Sequence, residues 1–185
     1  MFDVEAIRAD FPILSREVNG KPLVYLDNGA SAQKPQVVID AISRAYSEEY
    51  ANVHRGLHFL SNLATDKYEA VRGTIAKFLN VSDAEQIVFN SGTTEGINTV
   101  AYGWAMPNLK AGDEIILSVM EHHANIVPWH FLRERQGVVI KWVDVDASGA
   151  LDPQAVIDAM GPRTKLVAVT HMSNVLGTVV DVKTI

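Results

Sequence analysis

The spacing of apolar positions changes near residue 87 and divides the chain into two patterns. Before that point, apolar side chains recur three and four positions apart, which predicts amphipathic helices over residues 37–50 and 63–79. Residues 24–26 form a short apolar run that predicts a strand, and residues 18–21 contain the Asn-Gly signal of a turn. The first part of the chain is therefore expected to consist of helices and loops.

From residue 87 onward, short apolar strands alternate with helical segments. Strands are predicted over residues 87–90, 114–119, 138–143 and 165–170. Helices are predicted over residues 94–105, 126–136 and 153–160. Pro107 is expected to exclude any continuation of the first of these helices, and Gly137 to end the second. The alternation predicts an α/β fold with a mainly parallel sheet flanked by helices.

Small and polar residues follow three of the predicted strands. The segment 91–95 (SGTTE) directly follows the first strand and opens a helix, an order that is typical of phosphate sites. The loop after the second strand contains His122 and His123, and the loop after the fourth contains Asn174. Because ligands bind beyond the carboxyl ends of parallel strands, we expect these loops to surround one ligand.

Each of these features also has a simpler interpretation. Ser and Thr are preferred at helix N-caps for local reasons, and Asn174 could hydrogen-bond within its own loop. The paired histidines could bind a metal together with His171, but adjacent side chains of an extended segment point in opposite directions. Stacking of one imidazole on a heteroaromatic ring fits a nearby phosphate better, so no metal is predicted. His54-Arg55 suits binding of a carboxylate, but suits a surface turn equally well.

Composition narrows the class of protein. A chain of 185 residues with 48% hydrophobic and 21% charged residues is typical of one soluble globular domain. The net charge of -6 and the lack of a long apolar segment predict neither nucleic acid nor a membrane as partner. The first residues lack the features of a signal peptide, which predicts a cytoplasmic location. The chain contains no cysteine, so these residues hold no disulfide and no thiol nucleophile.

Five segments together resemble the class V aminotransferase superfamily, and within it the SufS/CsdA-type cysteine desulfurases of iron–sulfur cluster assembly. The segments are residues 26–30 (LDNGA), 52–56 (NVHRG), 92–98 (GTTEGIN), 121–129 (EHHANIVPW) and 173–177 (SNVLG). The segment 121–129 is the most specific of the five. The resemblance extends over the whole chain.

The resemblance implies an enzyme that uses pyridoxal 5′-phosphate and has the transferase fold of type I. Residues 1–20 would belong to the small domain, and residues 21–185 to the N-terminal part of the large, cofactor-binding domain. The implied substrate is L-cysteine, and the implied protein partners are a sulfur acceptor and a second copy of the complete chain. The cofactor would act as an electron sink for chemistry at the substrate.

The resemblance also implies roles for individual residues. The cofactor-binding residues would be Gly92, Thr93, Thr94, His122 and Asn174. The two threonines would hold the phosphate, and Asn174 would contact the phenolic oxygen of the ring. His122 would lie over the pyridine ring and is the implied catalytic residue. Ala30 and Arg55 would lie near the substrate.

Three parts of the family's catalytic machinery have no counterpart in these 185 residues. They are the Schiff-base lysine of a Ser-x-His-Lys segment, the aspartate of an Asp-x-x-Gln segment and the persulfide-forming cysteine. The chain is therefore expected to be a truncated form that is inactive by itself. The alternatives are another class V enzyme, such as a selenocysteine lyase or an aminotransferase, and a non-catalytic domain that binds a phosphate-containing ligand.

Overall fold

The computed structural model describes residues 2–185, which form two compact units. One unit ends at Val88, and the other spans Phe89–Ile185. The first unit is mostly helical, as predicted, and the second contains a parallel sheet. The predicted boundary at residue 20, between a small and a large domain, stays a prediction.

The first unit contains three α-helices and one short hairpin. The helices are α1 (Val4–Ala9), α2 (Gln36–Arg44) and α3 (Phe59–Phe78). A π-helical turn, Ala45–Glu49, extends α2, so the helical region predicted over residues 37–50 is present with a change of winding. The side chain of His58 caps α3 by accepting a hydrogen bond from the Ser61 amide.

The hairpin joins β1 (Glu17–Val18) to β2 (Lys21–Pro22) in antiparallel order. Asn19 and Gly20 lie between the strands with φ values of 55° and 72°, as a tight hairpin turn requires. This confirms the turn predicted over residues 18–21. The strand predicted at residues 24–26 is wrong, because no strand lies beside this segment among residues 2–185 and its apolar side chains at Val24 and Leu26 are exposed.

The second unit alternates helices and strands. Its helices are α4 (Thr93–Thr99), α5 (Met106–Asn108), α6 (Val127–Gln136) and α7 (Pro153–Ala159). Its strands are β3 (Glu114–Ser118), β4 (Val139–Val143) and β5 (Thr164–Ala168). A π-helical turn, Val100–Ala105, joins α4 to α5. The helical path therefore continues past the predicted end, since Pro107 occupies the first turn of α5, where a missing N–H costs nothing.

The strand predicted over residues 87–90 is also wrong. Ile87 has extended backbone angles, but its N–H donates to the Ala84 carbonyl oxygen at 3.0 Å. Its carbonyl oxygen accepts a hydrogen bond from the Arg72 guanidinium. Both backbone groups of Ile87 are thus engaged by a turn and a side chain rather than by a neighbouring strand.

The three strands of the second unit form a parallel sheet in the order β4-β3-β5. The central strand β3 is buried along its whole length. Ile115 and Leu117 pack on one face with Trp129 and Leu132 of α6, whereas Ile116 packs on the other face with Val156 of α7. Burial on both faces is characteristic of parallel sheets covered by helices. The predicted α/β fold is confirmed.

The order of the strands determines where a ligand can bind. The chain leaves β3 through α6 to reach β4 on one side, and then returns through α7 to β5 on the other side. The two connecting helices cover opposite faces of the sheet. Such a reversal opens a crevice beyond the carboxyl ends of the strands, here between β3 and β5.

Candidate cofactor-binding site

A cleft of about 420 Å³ lies at the carboxyl ends of β3 and β5. One wall is the start of α4 with Thr93, the second is the loop after β3 with His122, and the third is the end of β5 up to Thr170. The volume is in the range of sites that bind small molecules. The sequence had predicted that these loops converge, and the structure brings Thr93 and His122 to the same cleft.

The start of α4 combines an unusual backbone conformation with open space. Gly92 is the N-cap residue with φ of 145°, a conformation that residues with a side chain rarely adopt. Its N–H donates to the Asn90 side-chain oxygen at 2.9 Å, which fixes the approach of the chain to the helix. A Cβ atom placed on Gly92 would meet no atom within 4 Å. The helix start therefore faces open space, as a bound phosphate would need.

Glu95 stabilises the turn that leads into α4. Its carboxylate accepts a hydrogen bond from the Ser91 backbone N–H at 2.7 Å and another from the Ser91 hydroxyl. These bonds from Ser91 hold the pKa of Glu95 below its ordinary value. An ionised Glu95 thus orders residues 91–95 without occupying the space in front of Gly92.

Two adjacent clefts share the His122 side chain. The second cleft, of about 390 Å³, is lined by Thr94 and Asn98 of α4, by His122 and His123, and by Phe131 of α6. Thr93 lines the first cleft and Thr94 the second. Each threonine thus lines a different cleft, and His122 lines both.

The local structure fixes the His122 ring. Its Nδ1 atom accepts a hydrogen bond from the Ala124 N–H at 3.1 Å and caps a 3₁₀ turn, His123–Asn125. When the ring is neutral, its proton must therefore be on Nε2. The His123 ring is 6.2 Å away at 84° to that of His122, so the two imidazoles present different faces. Of these two histidines, His122 lines both clefts and His123 lines the second cleft alone.

The other predicted site residues are Asn174, Ala30 and Arg55. Asn174 is exposed in a loop closed by a bridge between Met172 and Val179, outside the residues that line the two clefts. The local bonds in that loop come from Ser173, whose hydroxyl oxygen accepts from the Leu176 N–H at 3.1 Å. Ala30 and Arg55 are exposed residues of the first unit.

Backbone contacts hold the loop that carries Arg55. The preceding residue, His54, has φ of 59°, and its N–H donates to the Thr65 hydroxyl oxygen at 3.0 Å. The following residue, Gly56, donates its N–H to the buried Ser61 hydroxyl oxygen at 3.0 Å. A Cβ atom at Gly56 would lie 2.7 Å from Ser61 Cβ, so only glycine fits this turn.

Sequence reasoning missed the contribution of Glu121 and Asn125. Glu121 is buried, and its carboxylate accepts hydrogen bonds from Ser118, from Asn125 and from the Thr170 N–H. These bonds join the end of β3 to the end of β5 beneath the cleft. The specific segment 121–129 contained both residues, but their partners at the end of β5 are far away in the sequence.

Neither a metal site nor a membrane-spanning helix is present among residues 2–185. No group of three or more histidine, aspartate or glutamate side chains is placed so that it could bind a metal ion. Within the same residues, no helix has the length and apolar character needed to cross a membrane.

Residues 24–185 match the class-V aminotransferase family. The chain belongs to this family. It is 55% identical over 177 residues to a cysteine desulfurase of Salmonella newport, a match that covers 96% of this chain and 44% of the relative. The chain therefore spans less than half the length of this relative.

Solved structures show the same similarity in three dimensions. The apo structure of a cysteine desulfurase from Thermococcus onnurineus has a TM-score of 0.89 and 36% identity, and covers 100% of this chain against 44% of its own length. The cysteine desulfurase CsdA from Escherichia coli has a TM-score of 0.81 and 38% identity, with 100% and 45% covered. This chain thus has the same fold as part of these cysteine desulfurases, as the sequence resemblance implied.

Proposed function

We propose that this chain supplies part of the active site of a pyridoxal 5′-phosphate-dependent cysteine desulfurase, which delivers sulfur from L-cysteine to iron–sulfur cluster assembly. The observation that carries the proposal is the cleft in which the start of α4 and the His122 ring meet at the ends of β3 and β5. The similarity to cysteine desulfurases over nearly the whole chain supports it.

The residues at the cleft fit the chemistry of this cofactor. Hydroxyl groups of Thr93 and Thr94, together with a glycine-capped helix start that faces open space, suit a dianionic phosphate. An imidazole face on the neighbouring wall suits a flat heteroaromatic ring. When bound, the cofactor withdraws electrons from an amino-acid substrate and so weakens bonds at the carbon atoms of that substrate.

Each residue would contribute to binding and orientation. Thr93 and Thr94 would hold the phosphate and thereby fix one end of the cofactor. His122 would cover one face of the ring and keep water from it, with Nδ1 occupied by the Ala124 N–H and the Nε2 proton left for a ligand. Asn174 is proposed as a partner of the phenolic oxygen, and Ala30 and Arg55 as neighbours of the substrate. A sulfur-acceptor protein and a second copy of the chain are the proposed partners.

A chimera tests the activity. In it, this chain replaces the matching part of the Salmonella newport cysteine desulfurase, and sulfide release from L-cysteine is measured with added pyridoxal 5′-phosphate. We expect the chimera to be active, and the double variant T93A/T94A to lose at least about tenfold in cofactor affinity, because phosphate contacts are charge-assisted. The variant H122A should also bind the cofactor more weakly.

Matched controls are available for both changes. Thr99 lies on the same helix, bonds to the Glu95 carbonyl oxygen and does not line the cleft, so T99A should bind the cofactor normally. H123A should have a smaller effect than H122A, because His123 lines only the second cleft. A folded chimera that uses selenocysteine but not cysteine would contradict the proposal. So would a chimera whose affinity for the cofactor is unchanged by both T93A/T94A and H122A.

A further inference from the structure

Glu121 is a buried carboxylate to which the proposed function assigns no role. Its Oε1 atom accepts hydrogen bonds from the Ser118 hydroxyl at 2.5 Å and from the Thr170 N–H at 2.9 Å. Its Oε2 atom accepts one from Asn125 Nδ2 at 2.8 Å. A carboxylate with donors on both oxygens is fully satisfied, which is what burial at 8% exposure requires.

Two bonds to Glu121 have a fixed direction, because the Thr170 N–H can only donate and the orientation of the Asn125 amide is fixed by its own partners. Asn125 Nδ2 donates to the Ala168 carbonyl oxygen at 3.0 Å as well as to Glu121. Asn125 Oδ1 accepts from the indole N–H of Trp129 at 3.0 Å, and an indole nitrogen can only donate. The amide of Asn125 therefore cannot turn over without losing these bonds. Glu121 must accept on both oxygens.

These bonds connect the two walls of the cleft. His122 follows Glu121 directly, and its carbonyl oxygen accepts from the Asn125 N–H at 2.7 Å. The loop that carries His122 is thus anchored on both sides, at Glu121 and at Asn125. Both anchors are in turn bonded to the end of β5, at Thr170 and Ala168, and this segment forms the facing wall.

We propose that Glu121 is a positioning residue that holds the His122 loop against the end of β5 and thereby fixes the width of the cleft. In the proposed function, on which this part of the inference rests, that width determines how well the ring of the cofactor fits. A glutamine at this position has one oxygen instead of two. Its NH₂ group would face either Asn125 Nδ2 or the two donors Ser118 and Thr170, so one or more donors would lose their acceptor.

The other end of β3 provides a matched control. Glu114 is also buried, at 3% exposure, and also joins β3 to β5, through a bond from the Thr164 hydroxyl at 3.2 Å. It lies at the amino end of the strand, away from the cleft. E114Q and E121Q therefore make the same substitution at the two ends of β3, Glu121 lying in the loop that follows the strand, and only E121Q alters the cleft.

The experiment compares the wild-type chain with E121Q and E114Q at a temperature where circular dichroism shows all three folded. Amide hydrogen exchange is followed at Thr170, and binding is titrated separately with pyridoxal 5′-phosphate and with inorganic phosphate. E121Q should speed exchange at Thr170 and weaken pyridoxal 5′-phosphate binding by about tenfold, the effect of losing a hydrogen bond to a charged group. Its affinity for inorganic phosphate should be unchanged. E114Q should change neither affinity, and it should speed exchange at Thr170 less than E121Q does, because it lowers overall stability without loosening the cleft.

The outcomes separate this inference from the proposed function. Unchanged exchange at Thr170 in E121Q overturns the positioning role, and so does an equal loss of affinity for both probes. If the wild type does not bind pyridoxal 5′-phosphate, the proposed function fails, while exchange at Thr170 still decides whether Glu121 holds the walls together. If E121Q does not fold, S118A removes one donor and keeps the carboxylate. It should show smaller changes in the same direction, and no change would overturn the inference.

Discussion

At the scale of single residues, the buried glutamates at the two ends of β3, Glu114 and Glu121, have different partners. Glu121 accepts bonds from neutral donors at the cleft. Glu114 instead contacts two cations, with Lys141 Nζ at 2.8 Å and Arg163 Nη2 at 3.1 Å. The bond from Lys141, followed by its charge, holds the pKa of Glu114 below the usual value of 4.5.

This pKa shift predicts how stability depends on pH. A carboxylate whose pKa is lower in the folded state stabilises the protein above its unfolded-state pKa, and the contribution is lost as the pH falls through the folded-state value. We expect E114Q to be less stable than wild type at pH 7. The difference should shrink below about pH 4.5, where Glu114 becomes protonated in the unfolded chain. Urea denaturation at several pH values measures it.

The difference in the free energy of unfolding between wild type and E114Q reports on Glu114 alone. Other carboxylates with lowered pKa values, such as Glu95 and Asp146, are present in both proteins and cancel. A difference in the free energy of unfolding that stays constant from pH 7 to pH 3 would show that the pairing of Glu114 with Lys141 and Arg163 is not what stabilises the fold.

At the scale of elements, the end of α6 illustrates a local rule that the sequence expresses directly. Gly137 was predicted to end the helix, and it does so in the left-handed conformation with φ of 73°. Its N–H donates to the Arg133 carbonyl oxygen at 3.0 Å, and its own carbonyl oxygen accepts from the Gly112 N–H at 2.9 Å. The helix end, the next strand and the loop before β3 are therefore joined at one glycine.

Replacement of this glycine should destabilise the protein. In G137A, the backbone of the alanine would have to keep the left-handed conformation, and its Cβ atom would lie 3.2 Å from the Ala111 Cβ. We expect the free energy of unfolding to fall by about 1–2 kcal/mol, the cost of this conformation for a residue with a Cβ. Chemical denaturation followed by circular dichroism measures the change.

Gly103 provides the control for that experiment. It lies inside the π-helical turn Val100–Ala105, and a Cβ atom there would meet nothing within 4 Å. G103A should leave stability unchanged or raise it by about 0.5 kcal/mol, because alanine loses less backbone entropy than glycine on folding. Equal losses in G137A and G103A would mean that the left-handed cap is not the cause.

At the scale of the whole molecule, what could be predicted from the sequence depended on the range of the interactions. Periodicity predicted the strands β3, β4 and β5 and their parallel orientation, because apolar spacing and the alternation of strands with helices are local properties. The prediction of a strand at residues 87–90 was wrong because the side chain of Arg72, 15 positions earlier, donates a hydrogen bond to the Ile87 carbonyl oxygen. The bond from Thr170 to Glu121 joins residues 49 positions apart, and it could be found only once β3 and β5 were neighbours.

The same reasoning applies to the candidate site. The convergence of Thr93 and His122 follows from strand order, and the sequence motifs indicated both residues. The exposure of Asn174 depends on how the loop between Met172 and Val179 closes, which no local pattern encodes. The roles of Asn174, Ala30 and Arg55 therefore stay predictions.

By the resemblance, the proposed activity depends on groups that these 185 residues do not contain. The resemblance assigns sulfur transfer to a cysteine, and the chain has none. We therefore expect the purified chain, supplied with pyridoxal 5′-phosphate and L-cysteine, to release sulfide no faster than the free cofactor does, while the chimera with the Salmonella desulfurase releases it at a catalytic rate. Thr93, Thr94 and His122 can bind and orient a cofactor, but a thiolate is the nucleophile that accepts sulfur. Sulfide release by the chain alone, with its mass confirmed, would mean that the thiol of this reaction is dispensable.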